Sequence, residues 1–335
     1  VFSLIYDILV LDKEIFGIRI RLPGKALEQY SRRCLVDEIV LTNKIEGVSS
    51  SRREIGETLD ELEEQSGKKS RANIFTGIVK KYHALMSRVP VSVRTCQDIR
   101  IIYDQIVSDE VAGTDKDNML DGAIFRKELS ELFNPSGKMI HRGKYPESEI
   151  IRYMEKALFF LNGTDGNDLI RNCVFHYLFE YIHPFYDGNG RTGRFILSYG
   201  LSNRLEYLLA FRISGMIREN LSEYYRAFSV CNDPRNLGDV TPFLLMMLKM
   251  IKSASLDLKD SLNDKLYRWR DYLRLYGRLE LPEKEEYKAI FDYLVQASLF
   301  SEMGISNQEL MKLLGVTENR SEERRVGKEC RSRWS

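Results

Sequence analysis

The chain is predicted to be mainly α-helical with one short β-hairpin, and two observations carry that expectation. Apolar residues recur at spacings of three and four through most segments, as in Leu258, Leu262, Leu266, Trp269, Leu273 and Tyr276. Only Asn134 to Tyr145 reads as a hairpin, with Pro135-Ser136-Gly137 and Gly143 as turn residues around Lys138-Met139-Ile140-His141.

Composition narrows the function classes. With 335 residues, 43% of them hydrophobic, the chain can bury one substantial core and a second small one. A formal charge of +1 argues against a polyanionic partner for the chain as a whole. The cysteines at 34, 96, 173, 231 and 330 are odd in number and lack paired metal-ligand spacing, which suits a reduced, cytoplasmic setting better than a disulfide framework. No apolar run approaches the ~18 residues of a membrane span, so we expect a soluble protein with no membrane partner.

Residues 1–68 read as an N-terminal helical region. Lys25 to Ile45 is one predicted helix, with Leu27, Tyr30, Leu35 and Ile39 among its apolar positions, and Gly47 caps it just after Glu46. Ser51 to Gln65 is another, followed by the polar connection Ser66-Gly67-Lys68-Lys69-Ser70. Residues 69–255 form the central domain, where the helical pattern runs from Ala72 to Leu132 with breaks near Pro90 and between Gly113 and Asp121.

Leu169 to Ile182 carries apolar residues at Ile170, Cys173, Val174, Tyr177, Leu178 and Tyr181, the spacing of a buried helix face. His183 therefore sits at a helix end, closed by Pro184, and a second helix begins near Arg191. Between the two lies Asp187-Gly188-Asn189-Gly190, whose glycines allow positive φ and let backbone N–H groups converge before a helix N-terminus as an anion nest. Arg191 and Arg194, one turn apart, add two cationic forks suited to phosphate oxygens. Asp187 is the carboxylate that Mg²⁺ favours when it bridges phosphates. His183 can take a proton from an incoming hydroxyl. Turn chemistry accounts for the glycines, but not for the histidine, aspartate and paired arginines at these offsets.

The run from His183 to Arg194 resembles the Fic family motif, His-x-Phe-x-Asp/Glu-Gly-Asn-Gly-Arg/Lys-x-x-Arg, at every defined position. The resemblance implies a Fic-fold helical bundle that transfers AMP from ATP, with Mg²⁺, to a Ser, Thr or Tyr hydroxyl of a target protein and releases pyrophosphate. It assigns His183 as the base, Phe185 as a buried loop anchor and Asp187 as the metal ligand. Gly188, Asn189 and Gly190 line the α- and β-phosphates in that assignment, and Arg191 and Arg194 hold the phosphates, Arg194 the terminal one. Thr42 to Gly47 is similar to the family's inhibitory pattern, Ser/Thr-x-x-x-Glu-Gly/Asn, which makes Glu46 the inhibitory glutamate. The hairpin before the motif resembles the family's flap, and Tyr225 with Asn232 resemble its adenine contacts. His176, with no carboxylate at ligand spacing, reads as a packed, hydrogen-bonded histidine.

Beyond the motif, Gly238-Asp239-Val240 to Met250 is a buried helix, and residues 256–282 form a linking amphipathic helix. Residues 283–319 resemble the start of a winged helix-turn-helix, with helices over Tyr287 to Leu299 and from the capping box Ser306-Asn307-Gln308-Glu309, and a turn at Gly315-Val316-Thr317. Residues 320–335 lack apolar periodicity and resemble an in-frame translation of a common sequencing adapter, so we expect them not to be native and read no fold from them. Without them the formal charge is −2. The competing functions are a DNA-binding regulator whose Fic domain senses nucleotide, and removal of AMP from a modified protein with Glu46 positioning water. DNA through the incomplete module and a second copy in a homodimer are the corresponding partners.

Overall fold

The computed structural model describes residues 1–64, 74–108, 110–111, 118–133, 137, 139–278, 285–301 and 304–315. The chain separates into two compact units, each drawn from two stretches: Val1–Phe16 with Cys34–Lys259, and Gly17–Arg33 with Asp260–Ser335. This interleaving differs from the linear division read from the sequence. The described helices are α1 (Phe2–Arg19), α2 (Gly24–Ile45), α3 (Arg52–Glu64), α4 (Thr76–Met86), α5 (Cys96–Tyr103), α6 (Glu147–Leu161), α7 (Asp168–Ile182), α8 (Asn189–Ser202), α9 (Ile213–Glu219), α10 (Leu221–Asn232), α11 (Thr241–Tyr276), α12 (Glu285–Phe300) and α13 (Asn307–Leu314). A π-helical turn follows α5 at Asp104–Ser108.

In the first unit, α7 and α8 form the centre. The apolar stripe expected on α7 is only partly its buried face: Cys173 and Tyr177 are buried, Ile170, Val174, Leu178 and Tyr181 are half-buried, and Leu169, Phe175, His176, Phe179 and Ile182 are buried outside it. Helix α8 begins at Asn189, two residues before the expected start, with Gly188 as its N-cap at φ 76°. Nearly all of α8 is buried, its polar residues Arg191, Thr192, Arg194 and Ser198 included. Phe185, from the loop between these helices, is fully buried and stacks on Tyr103 at 3.8 Å between ring centroids.

The hairpin is real but sits earlier than predicted. Its strands are β1 (Glu131–Phe133) and β2 (Met139–Arg142), antiparallel, with Glu131 opposite Arg142 and Leu132 opposite His141. Leu132 is therefore strand, not the end of a helical stretch, and the chain from Met119 to Ser130 is irregular. The physical reason lies with Glu147, whose carboxylate accepts from the backbone N–H groups of Ile124 at 2.7 Å and Phe125 at 2.9 Å, donors that a helix would have used. Pro135 and Ser136 lie outside the described residues.

Arg126 fixes the hairpin's base. It is fully buried and donates through Nε to the carbonyl of His183 at 3.0 Å, through Nη1 to that of Glu128 at 2.5 Å and through Nη2 to that of Lys144 at 2.8 Å. Its own backbone N–H donates to Pro184 O at 3.2 Å. One side chain thus ties both ends of the hairpin to the α7–α8 loop.

The two helices expected over Val240 to Met250 and 256–282 are one helix of 36 residues, α11. No proline or glycine interrupts Phe243 to Tyr276, so nothing in the chain forces a break. In the second unit, α12 and α13 match the predicted helices, and Ser306 with Glu309 closes the reciprocal capping box. Val316, Thr317 and residues 318–335, where the winged helix-turn-helix read from the sequence would continue and where the adapter-like tail falls, lie outside the described residues. Cys34, Cys96, Cys173 and Cys231 are buried, and Cys330 lies outside the described residues. Among the described residues, no helix is long and apolar enough to cross a membrane.

Replacing Arg126 with Met leaves three carbonyls without their cationic donor. The variant is expected to lose about 3 kcal/mol or more of stability. Urea unfolding of wild type and variant checks this, and an unchanged midpoint would remove Arg126 from its structural role.

Candidate active site

His183 closes α7 in the left-handed region, at φ 54° and ψ 64°, an uncommon conformation for a residue with a side chain. Its N–H still donates to Phe179 O at 2.9 Å, and its carbonyl is held by Arg126. The imidazole is buried and lies 6.0 Å from the ring of His141 on β2. Burial, then the nearby His141 and Arg126 charges, push its pKa down to about 3. The ring is therefore neutral at physiological pH, with one nitrogen able to accept a proton.

The loop after it is fastened from within. Asn189 Oδ1 accepts from the Phe185 N–H at 2.9 Å, and its Nδ2 donates to Phe185 O at 2.8 Å. Both ends of the Asn189 amide are thus engaged by one residue of the loop, which its side chain clamps. Gly188 alone of the two loop glycines has positive φ, and a Cβ there would also come within 2.5 Å of Val107 Cγ1. Gly190 lies inside α8 with helical backbone, and its requirement is spatial: a Cβ there would collide with Glu46 Oε1 and approach Arg194 Nη1 to 2.8 Å.

The two arginines have different surroundings. Arg191 is buried and pairs with Glu110 through Nη1, while Asp187 Oδ2 lies 3.8 Å from its Nη2. Its expected phosphate fork therefore begins as an ion pair with an acid 81 residues earlier. Arg194 is also buried. Its Nε donates to Thr42 Oγ1 at 2.8 Å, and its Nη2 donates to Thr42 O at 3.1 Å and to Glu46 Oε1 at 2.7 Å. Burial alone would lower the guanidinium's pKa, but the Glu46 carboxylate outweighs it and holds it above the usual range.

Glu46 reaches Arg194 because α2 presents a polar face at intervals of four residues. Glu38 is wholly buried and accepts from Ser214 N at 3.0 Å and Ser214 Oγ at 2.6 Å. Thr42 is next, then Glu46, one residue past the helix end, with its side chain 25% exposed. Glu38 and Thr42 were legible in principle, one and two turns before Glu46 on the same face.

Other predicted contacts are less convergent. Asp187 Oδ1 accepts from the Gly188 N–H at 2.5 Å, and its side chain is 43% exposed. Among the described residues no group of three or more His, Cys, Asp or Glu could hold a metal. A lone, accessible carboxylate beside an arginine-bearing loop fits an ion that arrives with phosphates and keeps water ligands, as Mg²⁺ does. Tyr225 is half exposed beside Tyr224, within electrostatic reach of Glu46 and Arg194. Asn232 accepts from the Tyr177 hydroxyl at 2.7 Å. His176 is buried, with Nε2 2.8 Å from the Tyr224 hydroxyl, and burial followed by the Arg194 charge pushes its pKa down to about 3.

Residues 94–201 match the Fic/DOC family. A stretch of 79 residues is 35% identical to Protein adenylyltransferase fic-1 of Caenorhabditis briggsae and of Caenorhabditis elegans, covering 24% of this chain. That match spans only 14% of the length of these curated relatives. Among solved structures, a Fic family protein from Desulfovibrio desulfuricans G20 shares the fold at a TM-score of 0.55 and 23% identity, over 95% of this chain and 86% of that one. A Fic-domain-containing signaling protein from Bacteroides thetaiotaomicron VPI-5482 does so at 0.53 and 14%, over 77% and 97% of the two chains. For Fic-1 from C. elegans the TM-score is 0.50 at 18% identity, over 76% and 72% of the two chains.

The buried, neutral His183 yields a direct measurement. In the nucleotide-free protein its ring is expected to show no titration by NMR between pH 8 and pH 5, since protonation is displaced to about 3. A His183 midpoint near the ordinary histidine value would overturn this assignment.

Proposed function

From a chain with a Fic/DOC domain at residues 94–201, distantly related to Fic-1 adenylyltransferase, we infer a nucleotidyltransferase that moves AMP from ATP to a target-protein hydroxyl and is restrained by Glu46. The observation that carries the restraint is the 2.7 Å pair between Glu46 Oε1 and Arg194 Nη2. It occupies the guanidinium assigned to the terminal phosphate.

The step balances as an in-line displacement. The target hydroxyl gives its proton to the neutral imidazole of His183 while its oxygen bonds to the α-phosphorus. The bond from that phosphorus to the bridging oxygen breaks, and pyrophosphate leaves. A triphosphate beside the ring adds negative charge, which draws the His183 pKa up from its depressed value toward the range in which a base works. Asp187 would hold Mg²⁺, which would supply neutralisation of phosphate charge.

The chain's own residues do the positioning. Asn189 clamps Phe185, so the loop N–H groups ahead of α8 are set before nucleotide arrives, and the α8 N-terminus favours anionic oxygens. Arg194 draws the terminal phosphate inward once Glu46 has left it. With Glu46 in place, ATP binds with its α-phosphorus out of line. Misplacement of about 1 Å costs on the order of 100-fold in rate. The hairpin's exposed strands suit addition of a target segment, which would present its hydroxyl beside His183.

Labelled AMP transfer from α-labelled ATP to lysate proteins or to the chain itself tests the reading. Glu46→Gly is expected to raise transfer by ~10- to 100-fold. Adding His183→Ala should abolish it with nucleotide binding largely kept, and adding Arg194→Ala should remove most of the gain. A Glu46→Gly variant that merely matches wild type at saturating ATP and Mg²⁺ sinks the brake. Undiminished transfer by the His183→Ala variant sinks the role of the base. In parallel, Asp187→Ala should weaken Mg²⁺-dependent ATP binding in a titration of the metal, and equal binding with and without Mg²⁺ in the parent would refute the ligand assignment.

A further inference from the structure

A carboxylate that the proposed step leaves unused lies beside the brake. Glu180 stands on α7, three residues before His183, and its Oε1 is buried with no hydrogen-bond partner. It fills the space over Gly193, where a Cβ would come within 2.5 Å of that oxygen. Glu46 fills the space over Gly190 in the same way. Two carboxylates, one from the end of α2 and one from α7, thus lie against α8 over glycines one turn apart, and the charge of each acts on the Arg194 guanidinium.

We propose that Glu180 is a positioning residue that takes over Arg194 when Glu46 departs and holds the guanidinium ready for the terminal phosphate of ATP. The proposal rests on the reading of Glu46 as a brake. Every hydrogen bond that Arg194 makes here through Thr42 and Glu46 comes from one segment, the end of α2. If that segment withdraws, a buried cation is left without its partners, a state that proteins do not tolerate unpaired. The ionisable groups facing Arg194 are Glu38 and Glu46 from α2 and its end, Tyr82 from α4, His176 and Glu180 from α7, and Tyr224 and Tyr225 from α10. Tyr224 and His176 are engaged with each other, and burial keeps both neutral. Glu180 is the carboxylate of this set that does not belong to α2.

Its protonation fits the exchange. Burial, then the Glu46 charge, pushes the Glu180 pKa up to about 8, against the pull of Arg194. In the restrained form it therefore keeps its proton at neutral pH and does not compete with Glu46. When Glu46 leaves, its repulsion goes too. Glu180 then loses its proton to solvent and becomes the counter-charge of Arg194.

The experiment compares ATP, ADP and AMP binding by calorimetry for the whole chain as wild type, Glu180→Gln, Glu46→Gly, Glu46→Gly/Glu180→Gln and Glu46→Gly/Glu180→Asp. Glutamine mimics the protonated acid, so Glu180→Gln alone is expected to change ATP affinity less than about twofold. In the Glu46→Gly background it should weaken ATP by about tenfold, the value of one charged hydrogen bond, while AMP affinity holds. The Asp variant, which keeps the charge, should recover most of the preference for ATP over AMP. Equal losses in both backgrounds would mean a merely structural role and overturn the proposal, as would no loss in the Glu46→Gly background or no recovery with Asp. The brake fails separately: Glu46→Gly would then bind ATP and transfer AMP no better than wild type, whatever Glu180 does.

Discussion

A guanidinium buried inside a helical domain constrains everything around it. Arg194 is 1% exposed, and a cation so placed is stable only if opposite charge and acceptors are built around it. The partners come from 152 and 148 residues earlier in the chain, so the end of α2 must pack at the mouth of the α7–α8 hairpin. Glu38, fixed to Ser214, sets the register of that packing two turns upstream. The contacts that satisfy Arg194 are in this sense also contacts that hold the end of α2 to the domain.

The same economy appears in the loop. Holding His183 in the left-handed region is costly for a residue with a side chain, and the surroundings over-determine it. Pro184 prevents the helix from continuing, Phe185 anchors into an aromatic cluster with Tyr103 and Phe125, and Asn189 closes the ring of contacts. Geometry that a free loop would have to find on binding is present in the fold beforehand.

The parts of this architecture legible in sequence were those governed by local chemistry. The helix ends at His183 and Gly47, the hairpin, and the Ser306 capping box each follow from a few adjacent residues. The approach of Glu46 to Arg194 was legible only because two separate patterns pointed to one another. What escaped was mostly non-local or polar. Glu110 carries no signal that it would meet Arg191, and Arg126 looks like any surface arginine until its three carbonyls are seen. Helix α8 misleads an apolar count, since Arg191, Thr192, Arg194 and Ser198 are buried despite their polarity, the two arginines through ion pairs with Glu110 and Glu46. Glycine was a partial guide: Gly188 serves its backbone conformation, whereas Gly190 and Gly193 make room for carboxylates from other segments. The length of α11 was missed because two apolar stretches in series do not announce that the chain between them stays helical.

The anchoring of the hairpin by Arg126 joins it mechanically to the end of α7. The side chain that holds Glu128 and Lys144, at the two ends of the hairpin, also holds the carbonyl of His183. A displacement of the strand pair therefore pulls on the backbone at His183 as well. Whatever loads the strands is in this way felt at the end of α7, and the backbone geometry at His183 depends on the hairpin staying where the fold put it.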